Sequence, residues 1–212
     1  AGTTDVGARS PFETPKRQSF SPRRSASTTP LQDLEGIITP ADLHFERHHG
    51  GVPAIDPATW SLLVHGLVDR PSVFTLDDLK RFPGRSVIRF LECSGNGSRN
   101  YRPDAKAPET TPQQLDGLTS CSEWTGVPLA QVLALAQPRP NARYVVFHCA
   151  DTYGKGSVKT PYYESIDLLD AYHPQTILAY NLNGKPVPIA NGAPLRLRVE
   201  RQLGYKHAKF VM

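Results

Sequence analysis

Apolar positions along this chain come in short runs of two periods. Alternating or β-branched runs at Trp60-Ser61-Leu62-Leu63-Val64-His65-Gly66, at Ser86-Val87-Ile88-Arg89-Phe90-Leu91 and from Arg143 to Cys149 predict strands. Ile177 to Val187 reads as strand, Asn183-Gly184 turn, strand, the strongest short hairpin signal in the chain. Leu195 to Val199 and Ala208 to Met212 read as two more strands, and the chain stops inside the second, which predicts a domain that is C-terminally incomplete. Helical signals are fewer. Thr75 caps a short helix that Pro83 stops, and a second short helix falls within Tyr163 to Tyr172, led by Ser165 or Asp167. Trp124-Thr125-Gly126-Val127-Pro128-Leu129 opens a third, running through Ala136 with Pro128 in its first turn and Leu129, Val132, Leu133 and Leu135 as its apolar stripe. Ser98 to Thr119 is polar and aperiodic and reads as a surface excursion. Strands outnumber helices and regular βαβ alternation is missing, so the expected class is α+β around a mixed sheet. No GxGxxG or GxxxxGK[ST] motif occurs, which argues against nucleotide-binding folds.

Composition divides the chain once. Residues 1 to about 30 are rich in Ser, Thr, Pro and Arg, with Val6, Phe12 and Phe20 as their large apolar groups, and read as a flexible basic arm before a globular domain at 31–212. With 212 residues and 39% apolar content the chain can bury one sizeable core. A formal charge of +4, partly from the arm, is too modest to point to nucleic acid. The three cysteines fall in no CxxC spacing, so neither a disulfide framework nor a structural zinc site is indicated. No run approaches the roughly 18 apolar residues of a membrane span, and no apolar signal-peptide core is present. A start at Ala1 fits a processed form and a partial chain equally well.

Candidate chemistry begins at Cys93. In Phe90-Leu91-Glu92-Cys93-Ser94-Gly95-Asn96-Gly97 a strand delivers one thiol to a tight polar turn, with glycines for close approach and Asn96 tolerant of a positive φ. Such a thiol suits a nucleophile or a soft metal ligand, and equally a buried structural role. Phe45-Glu46-Arg47-His48-His49-Gly50-Gly51 sets a permanent cation and two imidazoles beside two glycines, a segment able to grip an anion. Asn191-Gly192-Ala193-Pro194-Leu195-Arg196 and Gly204-Tyr205-Lys206-His207-Ala208-Lys209 cluster donors around a glycine in the same way. A soft ligand with several anion-gripping segments is what a large anionic metal cofactor requires.

Taken in order over residues 31–212, these segments, with Trp124 to Leu129 and Ile177 to Pro186, resemble the molybdenum-binding domain of the sulfite oxidase family, specifically its bacterial sulfite dehydrogenase-like members. The resemblance implies a molybdenum–molybdopterin cofactor (Moco) with Cys93 as the single protein thiolate on the metal. It implies that Arg47 draws in an oxyanion, that Phe45, His48 and His49 line the pterin, and that Asn191, Arg196, His207 and Lys209 hold the pterin and its phosphate. Asp151 is a looser match to a pterin-contacting aspartate. Cys121 and Cys149 match no ligand and default to structural roles.

The activity so implied is oxygen-atom transfer, oxidising sulfite to sulfate. The chain has no CxxCH motif and no haem segment, so a separate cytochrome c is the expected acceptor of electrons, in the bacterial periplasm or alternatively the cytoplasm. Two departures bear on substrate. Gly97 and Ser98 stand where family members place arginines, and the family's active-site tyrosine lies past the last matched segment; Tyr180 and Tyr205 are not its equivalents by motif. Two alternatives follow: a molybdopterin-dependent reductase of sulfoxides or similar oxides, and an inactive truncated domain acting as an interaction module.

Overall fold

The computed structural model describes residues 16–19, 25–101, 111–153 and 159–212. The chain divides into two compact units, each assembled from two segments: residues 1–47 with 88–122, and residues 48–87 with 123–212.

In the first unit a three-stranded antiparallel sheet runs in the order Gln18–Ser19, Ala26–Thr28, Glu46–Arg47. Its register pairs Gln18 with Thr28 and Ala26 with Arg47. Within the stretch read as a flexible arm, Gln18–Ser19 and Ala26–Thr28 are strands, while residues 1–15 and 20–24 lie outside the described residues. Hydroxyls do the work that apolar side chains do elsewhere: Thr28 Oγ1 donates to Gln18 O at 3.2 Å and Ser19 Oγ to Ala26 O at 3.3 Å. An argument from hydrophobicity does not register such bonds. Within the stretch read as an excursion, Pro112–Asp116 is a helix with a capping box between Thr111 and Gln114 and proline in its first turn. It is too short to show a period. Its Gln113 is buried, and Nε2 donates to Lys16 O and Thr28 O, both at 3.2 Å.

The second unit carries the larger core, where Val127, Leu129, Val132, Leu133, Leu178, Leu195, Leu197 and Val199 cluster. Strand Ile177–Leu182 turns through Asn183 (φ 50°) and Gly184 (φ 75°) into Lys185–Pro186, as the Asn-Gly pair predicts. It also pairs antiparallel with Arg196–Arg198 and with Thr119–Pro128. Trp124 to Pro128 belongs to that last strand rather than to a helix; helix Leu129–Ala136 starts one residue later, with Pro128 as its N-cap. Trp124 is fully buried, and a strand places it there by alternating inward positions from Ser120 to Trp124.

Strands Ser61–Val64 and Ser72–Thr75 form a hairpin that leads into helix Leu76–Lys80, capped by Thr75. Tyr144–Tyr153 pairs with Thr160–Asp167, and Asp167 then caps helix Leu168–Tyr172. The strand expected at Ala208 to Met212 is a single antiparallel bridge, Val211 with Cys149, preceded by a 3₁₀ turn at Gly204–Lys206. Phe210 sits at φ 54°, which interrupts the extended run. Strands outnumber helices throughout, in keeping with the α+β class.

Candidate functional site

Strand Arg85–Glu92 ends one residue before Cys93, whose N–H donates to Leu118 O at 2.9 Å. The turn that follows is closed by Asn96. Its N–H donates to Cys93 O at 2.9 Å, its Nδ2 to Glu92 Oε1 at 3.0 Å, and its Oδ1 accepts the Leu118 N–H at 3.0 Å. The positive φ falls on Gly97 (68°) rather than on Asn96, which serves as a side-chain clamp. Cys93 is half-buried at the centre of this frame, with a free thiol. Cys149 is buried, and that burial, with Asp151 and Glu164 nearby, pushes its thiol up to about 12, so it stays protonated at neutral pH. Among the described residues no group of three or more His, Cys, Asp or Glu side chains gathers to hold a metal ion, so a metal on Cys93 has to bring further donors with it.

Phe45 and Arg47 belong to the same unit as Cys93. Phe45 is buried, stacks on His44 with centroids 5.1 Å apart, and donates its N–H to Ser120 Oγ at 3.0 Å. Ser120 Oγ in turn lies 2.7 Å from Thr29 Oγ1, one hydrogen bond between two hydroxyls. Arg47 is half-buried in the short strand paired with Ala26. Its neighbour Glu46 is ion-paired with Arg17, so a carboxylate next to the candidate anion-binding arginine is already neutralised.

His48, His49, Asp151, Asn191, Arg196, His207 and Lys209 lie in the other unit. Lys209 Nζ is 2.9 Å from His48 Nδ1 and donates to Ala190 O at 3.1 Å. An ammonium has donors only, so Nδ1 is the acceptor in this pair and the ring N–H is on Nε2. Gly192 (φ 116°) makes room for this lysine, since a Cβ there would lie 3.0 Å from Lys209 Cβ and Cγ. At Gly50 a Cβ would lie 1.2 Å from Thr152 O, so only glycine lets the segment after His48 and His49 lie against the strand carrying Asp151. Asp151 is buried, and its Oδ1 has no hydrogen-bond partner. Burial raises its carboxyl above the ordinary range, against the opposing pull of Lys209, His49 and His48. His49 is exposed and stacks on Tyr162 at 5.7 Å.

Arg196 and His207 brace this cluster. Arg196 is buried over the Trp124 ring at 4.8 Å and donates to Asn191 O at 2.6 Å and His207 O at 3.4 Å. It thereby ties the turn at Ile189–Asn191 to the segment that ends in Lys209. His207 accepts the Val199 N–H on Nδ1 at 3.4 Å, and its Nε2 lies 3.0 Å from Gln202 O, to which it donates. Burial, reinforced by Arg198 and Arg196, lowers its pKa well below the usual histidine range. Both ring nitrogens are thus engaged by main chain. Sequence reasoning passed over Ser120, Gln113 and the Asn96 clamp, because isolated buried polar residues bonded to backbone leave no periodic trace. The Thr111-Pro112-x-Gln114 capping signature was the one available pointer to Gln113.

Comparison with known proteins places this geometry. The pattern of the oxidoreductase molybdopterin binding domain matches residues 49–212. The chain is 35% identical over 194 residues to the mitochondrial sulfite oxidase of Rattus norvegicus, covering 88% of this chain and 34% of that protein. It is 30% identical to a putative protein-methionine-sulfoxide reductase subunit of Azospira oryzae, over 91% of this chain and 61% of the relative. Among solved structures, the sulfane dehydrogenase SoxCD of Paracoccus pantotrophus superposes with a TM-score of 0.80 at 30% identity, covering all of this chain and 54% of that one. The chain therefore spans about a third (34%) of the length of the curated sulfite oxidase it matches. The matched domain, with the fold superposition that agrees with it, shows that the chain belongs to the oxidoreductase molybdopterin-binding domain family, the molybdopterin-binding domain of sulfite oxidases.

Proposed function

We propose that this chain binds a molybdenum–molybdopterin cofactor and oxidises sulfite to sulfate, passing two electrons to a separate cytochrome. The observation that carries cofactor binding is the buried, unpartnered Asp151 Oδ1 beside Lys209 and His48. A pterin ring offers N–H donors to such a carboxylate, and the Lys209 ammonium and His48 Nε2–H offer charge and a donor to anionic oxygens. The residues present fit the group. When bound, the cofactor supplies two-electron redox chemistry with oxygen-atom transfer at molybdenum.

The chain's own residues take the remaining roles. Cys93, held by Leu118 and Asn96, supplies a thiolate to the metal. Arg47, with Glu46 already neutralised by Arg17, attracts the oxyanion. Lys209, His48, Asp151, Asn191 and the exposed His49 hold the pterin side. Phe45, buried two residues before Arg47, is held by Ser120, and Arg196 and His207 fix the backbone that carries Asn191 and Lys209. Sulfite and water leave as sulfate, two protons and two electrons, the electrons going to the cytochrome.

The test is molybdenum and pterin content of purified protein, with sulfite-dependent reduction of cytochrome c. Cys93→Ser is expected to lose both metal and turnover while the fold persists; retention of metal and turnover would overturn the ligand assignment. Arg47→Met is expected to raise the KM for sulfite far more than it lowers cofactor content. A second reading, reduction of a sulfoxide by two electrons and two protons to a thioether and water, is favoured by Gly97 and Ser98 after the Cys93 turn and by the Azospira relative. Turnover of methionine sulfoxide with a reduced dye, and none of sulfite, would select it.

A further inference from the structure

We infer that Ser120 is the positioning residue that sets Arg47 in place relative to Cys93. The inference rests on the reading of those two residues as the anion-gripping and metal-ligating groups. Both lie in one unit, and both hang on the stretch from Leu118 to Ser120. Cys93 is tied to it directly: its N–H donates to Leu118 O at 2.9 Å, and the Leu118 N–H donates to Asn96 Oδ1 at 3.0 Å.

Arg47 is tied to it by two routes that meet at one hydroxyl. On one route the Phe45 N–H, two residues before Arg47, donates to Ser120 Oγ at 3.0 Å. On the other, Arg47 pairs with Ala26, and the strand of Ala26 leads through Thr28 to Thr29, whose Oγ1 lies 2.7 Å from Ser120 Oγ. Thr29 N–H also donates to Gly117 O at 2.8 Å. Ser120 is 3% exposed and Thr29 is fully buried, so no water replaces these bonds when the hydroxyl is removed. A serine oxygen holds one hydrogen and two lone pairs, enough for both partners. Loss of that oxygen loosens the Arg47 strand while leaving the Cys93 turn on its own anchors.

The experiment is Ser120→Ala in the full chain, read in two states. In cofactor-free protein, modification of Arg47 by phenylglyoxal, located by peptide mass mapping, is expected to speed up about threefold or more, with iodoacetamide labelling of Cys93 unchanged. In loaded enzyme the KM for sulfite is expected to rise roughly tenfold, with kcat and molybdenum content changing far less, as a sub-ångström misplacement of a binding group does. In an Arg47→Met background the same substitution should change KM no further, because the two residues act through one another. Thr29→Val keeps the shape at the second route and is expected to move the same readouts in the same direction by less.

Unchanged Arg47 modification and unchanged KM in Ser120→Ala would overturn the inference. If Ser120→Ala does not fold, the same result in Thr29→Val would overturn it. An equal further loss in the Arg47→Met background would overturn it too, since that marks general loosening. Retention of molybdenum by Cys93→Ser would instead sink the ligand assignment, and the phenylglyoxal result would stand apart from it.

Discussion

A buried carboxylate oxygen without a hydrogen-bond partner costs free energy in the cofactor-free chain, and Asp151 Oδ1 is in that state. Asp151→Asn is therefore expected to stabilise the cofactor-free protein by about 1 kcal/mol, a rise of roughly 2–4 °C in thermal midpoint for a chain of this size. The same change should lower the molybdenum retained on dialysis. Scanning calorimetry with metal analysis checks both, and a fall in the cofactor-free midpoint would show that Lys209 and the imidazoles already satisfy the charge. His207 gives a pH signature. Its folded pKa lies below the unfolded value, so in acid the unfolded chain takes up a proton that the folded chain refuses. The stability it contributes is complete above about pH 6.5 and is lost as the pH falls from there toward the folded value. His207→Gln cannot titrate, and urea unfolding across a pH series should show it weaker than wild type at pH 8 but with a shallower decline below about pH 6.5. Cys93 and Arg47 stand out in the sequence because reactive side chains in glycine-rich turns break the packing pattern. His207 stands out for the same reason, and the structure adds its main-chain bonds to Val199 and Gln202.

At the scale of elements, the periods served where runs were long and failed where one residue ruled. Trp124-Thr125-Gly126-Val127-Pro128 leads into a real helix, and the apolar stripe beyond it is genuine, so the helical reading spread too far upstream. Gly126 decides the matter in three dimensions. It pairs with Ala179, and a Cβ on it would lie 2.1 Å from Leu178 O, so the two strands approach as they do only because the side chain is absent. Gly126→Ala must push backbone from backbone in the middle of the sheet and is expected to cost about 3 kcal/mol or more, seen as a large fall in thermal midpoint. Gly184→Ala is the control: its Cβ meets open space, and the φ of 75° alone should cost about 1 kcal/mol. Equal losses would show that turn strain, and not strand contact, sets the requirement. The hairpin at Asn183-Gly184 was readable from two residues because both adopt positive φ, whereas the end of the chain looked like a strand until Phe210 turned it aside.

The whole molecule depends on segments that composition dismisses. The alternating runs gave the α+β class, since strands such as Thr119–Pro128 bury alternate positions, but the first unit also relies on strands two and three residues long and on buried polar bonds. Neither has a period to read. A flexible arm could be removed without consequence, whereas the described residues at 16–19 and 25–30 bond to the rest of the first unit. A chain beginning at Leu31 would lose the pairing of Ala26 with Arg47, the Thr29–Ser120 bond, and the Lys16 and Thr28 carbonyls that satisfy the Gln113 amide. Each buried group left unpaired costs about 1–3 kcal/mol, so two or three together approach the roughly 5–15 kcal/mol that holds a protein folded. Expression of that shortened chain is expected to give a thermal midpoint lower by roughly 10 °C and little bound molybdenum. Wild-type values for both would return residues 1–30 to the status of an arm. A normal midpoint with metal lost would place the contribution of these residues in the arrangement of Arg47 and Cys93, not in folding.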